Sequence, residues 1–281
     1  MRIRAPAKVN LSLKVVGKRR DGYHLIDTIM VPVSLYDEIE IARAKPGAKL
    51  SVVCDDPKIP SDKRNLAYQA AELLLGKDAV RRPVSIHIKK HIPAGAGLGG
   101  GSSDAAAVLV GLNRLLRLRK SRRELLALAA RLGADVPFFI ARRPARARGI
   151  GERLSPFHLP RRLWLVIVYP GFPVATAWAY RSLSFKLTKN IEKTSLNSHV
   201  WPLRGRAIEL VNDLEKPVFR RYPKVARLKR KLAQAGAAGT LMSGSGSSVF
   251  GIFSSGDKAR KAFLRLERED GSQAFLVRSL Q

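Results

Sequence analysis

Five glycines fall within the seven residues from Gly95 to Gly101, inside the run Pro-Ala-Gly-Ala-Gly-Leu-Gly-Gly-Gly-Ser-Ser-Asp-Ala-Ala-Ala over 93–107. Glycine leaves no Cβ between a backbone N–H and an approaching anion. Ser102, Ser103 and Asp104 follow, where a helix N-cap is expected. A helix N-terminus carries partial positive charge. Together these residues describe a cradle for phosphate oxygens. No Gly-Lys-Ser/Thr follows, so the run is not a Walker loop, and no downstream βαβ context supports a dinucleotide fingerprint. A second glycine-rich stretch, 236–246, fits either another phosphate-side loop or a plain strand connection.

Two charged residues have the chemistry to act beside such a cradle. Phosphoryl transfer to an alcohol needs a group that orients the hydroxyl and takes its proton. Asp135 stands between the helix-stopping Gly133 and Val136-Pro137, a position that suits a base and equally suits an N-cap. Lys8 is the second candidate, although a lone lysine at this place ordinarily reads as a solvated residue on a strand edge.

The elements around these residues are legible from periodicity. Residues 84–90 alternate apolar and polar, a strand entering the glycines. Ala105, Val108, Leu109, Leu112, Leu115 and Leu116 recur at helical spacing beyond them. Residues 2–16 read as a strand pair broken at Pro6, followed by a turn at Asp21-Gly22. Residues 38–41 and 50–54 read as strands, and 65–75 as a helix. Ser121 and Glu124 form a capping box for a helix that ends at Gly133. The Arg- and Gly-rich stretch 142–151 reads as a loop or an edge. A composition shift over 156–162 divides the chain into domains 1–155 and 156–281. Residues 163–168 read as a buried strand, 174–183 as a helix, 186–202 as a long polar loop and 222–235 as a basic amphipathic helix. Residues 248–253, 257–266 and 274–277 close the chain as strand, helix and strand. This mixed order predicts an α+β fold in both halves.

The run 93–107 resembles the second motif of the galacto-, homoserine-, mevalonate- and phosphomevalonate-kinase (GHMP) superfamily. It is closest to the branch whose acceptor alcohol carries a cytidine diphosphate group. That resemblance implies two domains, an N-terminal ribosomal-protein-like α/β sandwich and a C-terminal ferredoxin-like α+β domain. It also implies an ATP-dependent kinase that phosphorylates a hydroxyl of a cytidine-diphosphate-linked sugar alcohol. Pro93, Ala94, Gly95, Ala96, Gly97, Leu98, Gly99, Gly100, Gly101, Ser102 and Ser103 then hold ATP, and Asn65 lies near its adenosine. The string 133–137 looks like the motif of the catalytic aspartate, which makes Asp135 the base. The string 5–11 looks like the first motif, which places Lys8 beside that aspartate and gives Asn10 a substrate contact. Residues 21–24 look like the cytosine-reading segment, with Tyr23 as a stacking face and His24 as a hydrogen-bond partner of the base edge. Residues 176–180 align with the opposite side of that pocket, bringing Thr176 and a second stacking ring, Tyr180. Residues 239–248 resemble the third motif and add Gly244, Ser245 and Gly246 to the substrate side. Mg²⁺ would accompany ATP and take Ser102 or Ser103 as its protein contact. The chain departs from the pattern at Arg142-Arg143-Pro144, which is more basic than the family segment, and 186–202 matches no motif.

Composition narrows the alternatives. The 281 residues carry 52 Lys and Arg against 22 Asp and Glu, a net charge of +30. The basic residues are scattered and few aromatics interleave with them, so a solvated basic surface is expected and no specific nucleic-acid partner. No run of about eighteen apolar residues is present, which predicts no membrane span. The single cysteine, Cys54, excludes an intramolecular disulfide and fits a cytoplasmic enzyme, as does the lack of an apolar leader.

Overall fold

The computed structural model describes residues 1–76, 82–183, 199–203, 206–269 and 271–281. Two long strands start the chain: β1 (Arg2–Lys18) and β2 (His24–Arg43). Each runs through both of the two compact units into which the chain divides. Pro6 does not break β1 as the sequence suggested. The N–H of Lys8 points away from the β-ladder, to the carbonyl of Leu98 at 2.9 Å. Pro6 has the same parity, and its missing N–H costs no ladder bond on this side strand. Residues 24–37, unassigned from sequence, complete β2.

The first unit comprises Met1–Ala7, Leu35–Ala94 and Gly99–Arg143. Its strands beyond β2 are β3 (Ser51–Cys54) and, after helix α1 (Leu66–Leu75), β4 (Val84–Lys89). β4 pairs antiparallel with the second half of β2 and parallel with β3. The alternation read from sequence turns Ile39, Ile41, Val52, Val84, Ile86 and Ile88 into the core. Three more helices follow: α2 (Gly100–Leu115), α3 (Arg122–Leu132) and α4 (Val136–Ala141). Helices α2 and α3 pack on each other and on both α1 and α4. A Cβ on Gly111 would stand 2.5 Å from the Cδ1 atoms of both Ile3 and Ile41, so glycine lets α2 lie close on the sheet. The capping box at Ser121 and Glu124 forms as expected, and Gly133 is the C-cap.

The second unit comprises Lys8–Ser34, Gly95–Leu98 and Pro144–Gln281. Here β5 (Ala145–Gly149) pairs with the first half of β2 and with β6 (Arg153–Pro156). The loop or edge expected over 142–151 is therefore an interior strand. Its signal was the Ala-Arg-Ala-Arg alternation, which buries Ala145 and Ala147 and exposes both arginines. After β7 (Trp164–Tyr169) comes α5 (Thr176–Arg181), shorter than the helix read over 174–183. The long loop read over 186–202 lies mostly outside the described residues. Its end is strand β8 (His199–Leu203), paired with β9 (Arg206–Leu210). Helix α6 (Glu215–Arg221), missed in the sequence, precedes α7 (Pro223–Gln234). The glycine stretch 236–246 contains strand β10 (Gly239–Met242), followed by β11 (Val249–Phe253), α8 (Gly256–Leu266) and β12 (Gln273–Arg278). The sheet order β10-β11-β7-β12 is antiparallel throughout, with α7 and α8 packed on it. This is the ferredoxin-like split βαβ arrangement. Its core joins Val166, Val168, Val249 and Phe253 to Val225, Leu228, Leu232, Ala259 and Leu266.

Candidate active site

In the first unit the helix α2 begins at Gly100, with Gly99 as N-cap in the left-handed conformation at φ +73°. Ser102, Ser103 and Asp104 therefore sit inside the helix and not at its N-cap, because Gly100 and Gly101 already take helical conformation. The N-cap has no side chain to occupy the first N–H groups, and those groups have no intrahelical acceptor. The positive end of a sixteen-residue helix is thus presented by glycine backbone. Ser103 adds a buried hydroxyl that has no hydrogen-bond partner among the described residues. An orphaned hydroxyl at this place fits a phosphate oxygen or a Mg²⁺ ion as its missing partner.

Two other expected residues lie in this unit. Asn65 is the N-cap of α1: its Oδ1 accepts from Ala67 N at 2.8 Å and its Nδ2 donates to Pro60 O at 2.8 Å. Sequence reading had not given it that capping work. Asp135 occupies the N-cap position of α4, but its backbone is already helical and its side chain makes no capping bond. The ordinary structural use of an aspartate at that position is therefore not the one seen here.

The second unit holds the middle of the glycine loop by four successive carbonyls. Gly95 O accepts from Val174 N at 3.1 Å and Ala96 O from Ser248 N at 3.1 Å. Gly97 O accepts from Ser243 Oγ at 2.9 Å, and Leu98 O from Lys8 N at 2.9 Å. The loop is tied to three separate parts of the unit, so its path is fixed and not that of a linker. Gly97, at φ +76°, is crowded: a Cβ there would stand 2.1 Å from Ser243 O.

The third-motif residues lie against the first-motif residues. A Cβ on Gly244 would stand 3.2 Å from Lys8 Nζ and 3.4 Å from Asn10 Oδ1. Lys8 Nζ donates to Asn10 Oδ1 at 2.6 Å, Asn10 Nδ2 to Thr28 Oγ1 at 2.8 Å, and Thr28 to the carbonyl of Ser12. Lys8, Asn10 and Thr28 are all buried. The buried Asn212 donates to Met242 O and Gly244 O at 2.8 Å each and accepts from Leu214 N at 3.0 Å. Thr28 and Asn212 were not found in the sequence, since neither lies in a recognisable string. Ser245 Oγ and Thr176 Oγ1 share a hydrogen bond of 3.0 Å, joining the third motif to α5. Gly246 N closes the loop on Ser243 O at 2.9 Å.

Of the rings expected around a base, His24 and Tyr180 meet. His24 stacks on Tyr180, with centroids 5.3 Å apart and planes 27° from parallel. Tyr23 is 61% exposed and its N–H turns back to Asp21. The ring pair in contact is thus His24–Tyr180. Burial, with the nearby Lys18 charge, lowers the His24 pKa below the ordinary 6.5. Lys8 and Asp135 belong to different units.

Comparison with known proteins places this geometry. Residues 65–143 match GHMP kinases N terminal domain, and residues 189–273 match GHMP kinases C terminal. The 4-diphosphocytidyl-2-C-methyl-D-erythritol kinase of Syntrophotalea carbinolica is 44% identical over 277 residues, 97% of this chain and 96% of that protein. The chain belongs to this family of GHMP kinases. Another such kinase, from Citrifermentans bemidjiense, is 45% identical over 281 residues, 100% of this chain and 99% of the relative. A crystal structure of 4-(cytidine 5'-diphospho)-2C-methyl-D-erythritol kinase matches with a TM-score of 0.81 at 37% identity, covering 100% of both chains. A homoserine kinase from Cytophaga hutchinsonii has a TM-score of 0.71 at 20% identity over 100% of this chain and 94% of its own, a likeness of fold. As a GHMP kinase the chain takes its phosphate from ATP. Among the described residues no helix is long and apolar enough to cross a membrane.

Proposed function

We propose that this GHMP kinase transfers the γ-phosphate of ATP to the 2-hydroxyl of 4-diphosphocytidyl-2-C-methyl-D-erythritol, a step of the non-mevalonate route to isopentenyl diphosphate. The reading is carried by the His24–Tyr180 stack in a chain of this family. A mevalonate or homoserine acceptor has no base to meet such a pair, whereas a cytidine does. The basic surface and the phosphate cradle alone would suit many anionic ligands.

In this reading the polyphosphate lies on the glycine loop and the positive end of α2. Asp135 takes the proton of the acceptor hydroxyl. Lys8, oriented by Asn10 and Thr28, offsets charge on the phosphoryl group in transit. The acceptor is a tertiary alcohol, crowded and weakly acidic, so its placement matters more than the strength of the base. Ser103, with Ser102, would hold Mg²⁺, which when bound offsets phosphate charge. Asn65, Thr176, Ser245 and Gly246 complete the nucleotide and acceptor contacts, and Tyr23 covers the base from its exposed place beside His24. Along the sequence the proposed domains are 1–155 and 156–281, although 8–34, 95–98 and 144–155 group with the second compact unit, and the proposed compartment is the cytoplasm.

The test is an ADP-release assay with a panel of alcohols: the cytidyl acceptor, its uridyl counterpart, mevalonate and homoserine. Preferred turnover of the cytidyl acceptor is expected. Equal use of both bases, or preference for mevalonate, would reduce the assignment to the wider superfamily.

A further inference from the structure

A cavity of about 700 Å³ opens in the second unit between α5 and α6, and the chemistry described above does not use it. Its size suits a small organic ligand. Lys216, Arg220 and Arg221, all exposed and all on α6, bring three cations to its wall. Among the described residues none of the three pairs with a carboxylate, whereas Lys229 and Lys231 of α7 hold Glu215 and Glu269. Asp213, the carboxylate on this wall, is partly buried and gives its Oδ2 to the N–H of Val15 at 2.6 Å. Lys216 and Arg220 stand four apart on α6, a spacing at which like charges repel. The rest of the wall is apolar in body: Trp178, Leu183 and Pro217. Arg221 joins the two parts, its Cζ standing 5.7 Å from the centroid of the Trp178 ring. A multiply charged anion satisfies the cations, and an apolar group on the same molecule covers the indole, Leu183 and Pro217. The two halves of the wall together select an ester of such an anion over the bare ion and over a neutral alcohol.

We propose that this cavity is a second ligand site, for a diphosphate ester of a short apolar alcohol, and that its occupant acts through α5 on the affinity for the acceptor. The coupling, though not the site, rests on reading His24–Tyr180 as the base pocket. Helix α5 has two working faces, because residues four apart share a face and residues two apart do not. Trp178 and Ser182 face the cavity. Thr176 shares its hydrogen bond with Ser245, and Tyr180 stacks on His24. The same short helix is therefore a wall of the cavity and the support of the base-stacking ring. Trp178 is held on its cavity side by Arg221 and meets Tyr222 edge-on, with ring centroids 5.5 Å apart. A bound diphosphate draws the Arg221 guanidinium toward itself and off the indole. Trp178 then repacks, and the helix that carries Tyr180 shifts with it. The base loses part of its stacking surface, so the occupant weakens the acceptor. Linkage is reciprocal: bound acceptor weakens the occupant by the same factor.

Isopentenyl diphosphate is the probe, titrated calorimetrically into protein saturated with a non-hydrolysable ATP analogue and Mg²⁺, which keeps the probe off the phosphate cradle. Wild type should bind it. The double variant Lys216→Gln, Arg220→Gln should bind at least about tenfold more weakly, because two of the three charge-assisted contacts are gone. Both side chains are exposed, and the single variants carry the same test if the double variant does not fold. Inorganic diphosphate should bind wild type at least about fivefold more weakly than the ester, since it leaves the apolar wall wet. No binding to wild type, or equal affinity in the variants, overturns the site. Equal affinity for inorganic diphosphate overturns the ester as its ligand. In the ADP-release assay a saturating probe should raise KM for the cytidyl acceptor at least about twofold in wild type and leave KM of the double variant unchanged. An unmoved KM in wild type overturns the coupling. Absence of cytidyl turnover, with calorimetric binding of the probe intact, overturns the base-pocket reading and the coupling with it and leaves the site standing.

Discussion

The hydroxyl of Ser243 donates to the carbonyl oxygen of Gly97 at 2.9 Å, across 146 residues of chain. Two glycine-rich stretches are thereby one structure in the second unit. The same pair fixes the residue type: alanine at 97 would place its Cβ 2.1 Å from Ser243 O and 2.9 Å from Gly246 O, at a φ of +76°. Gly97→Ala should push the loops apart and weaken ATP at least about tenfold, since backbone must approach the anion there. Ser243→Ala is the milder change. It leaves a partly buried carbonyl without its donor and should lower stability by about 1 kcal/mol. Nucleotide calorimetry and urea unfolding read the two effects. Wild-type ATP affinity in folded Gly97→Ala would show that this contact does not shape the cradle.

Asp135 occupies a cap position without capping, so its removal tests chemistry more than helix stability. Asp135→Asn preserves shape and removes the basic oxygen. Turnover should fall by a factor on the order of 10² or more while ATP still binds. Single-turnover kinetics beside calorimetry separate the two. A variant with most of its turnover left would end the assignment of the base.

Thr28 stands behind Asn10, which stands behind Lys8. Thr28→Val keeps the volume and strands the Nδ2 of a buried asparagine, at a cost of about 1–3 kcal/mol. Because Asn10 orients Lys8, kcat should fall while KM for ATP changes little. Thr28→Ser, which keeps the hydroxyl, should restore turnover. Equal kcat in the valine and serine variants would make the chain of bonds purely structural.

His24 and Tyr180 touch, so their variants will not be independent. His24→Ala should erode the preference for cytidyl over uridyl acceptor, because base-edge hydrogen bonds carry discrimination. Tyr180→Ala should raise KM for the cytidyl acceptor and cost part of the preference, through the loosened imidazole. Tyr180→Phe should keep both. The lowered His24 pKa means the neutral ring is the majority form at pH 6.5 and above, and the charged form becomes the majority only below that. A neutral imidazole can accept from the cytosine amino group, and the charged form cannot. The preference should therefore be full at pH 8 and fall with a midpoint below the ordinary histidine pKa of 6.5. The measurement is kcat/KM for both acceptors across pH. A decline with its midpoint well above 6.5 would remove His24 from the discrimination.

Local signals in the chain set local structure. Alternation at 84–90 gave β4, the Ser121–Glu124 spacing gave a capping box, and continuous apolar residues gave β7. The same kind of signal at 145–149 was present and was masked by arginine content, which describes the exposed face and not the strand. Pro6 was misread because a missing N–H matters only on the side where a ladder bond is needed, and the chain does not state which side that is.

Residue types at 95–103 determined by themselves that backbone would be bare and a helix would start there, because glycine and serine act through their own φ and their own N–H groups. What those glycines meet was decided by tertiary structure alone. Ser243, Ser248, Val174 and Lys8 reach the four loop carbonyls from far along the chain. Asn212 reaches Gly244, and Asp104 meets Lys90 and Asp37. Periodicity reports which side of an element is buried. The partner of a buried polar atom depends on which other element packs there, and the charge state of a buried acid depends on the same packing.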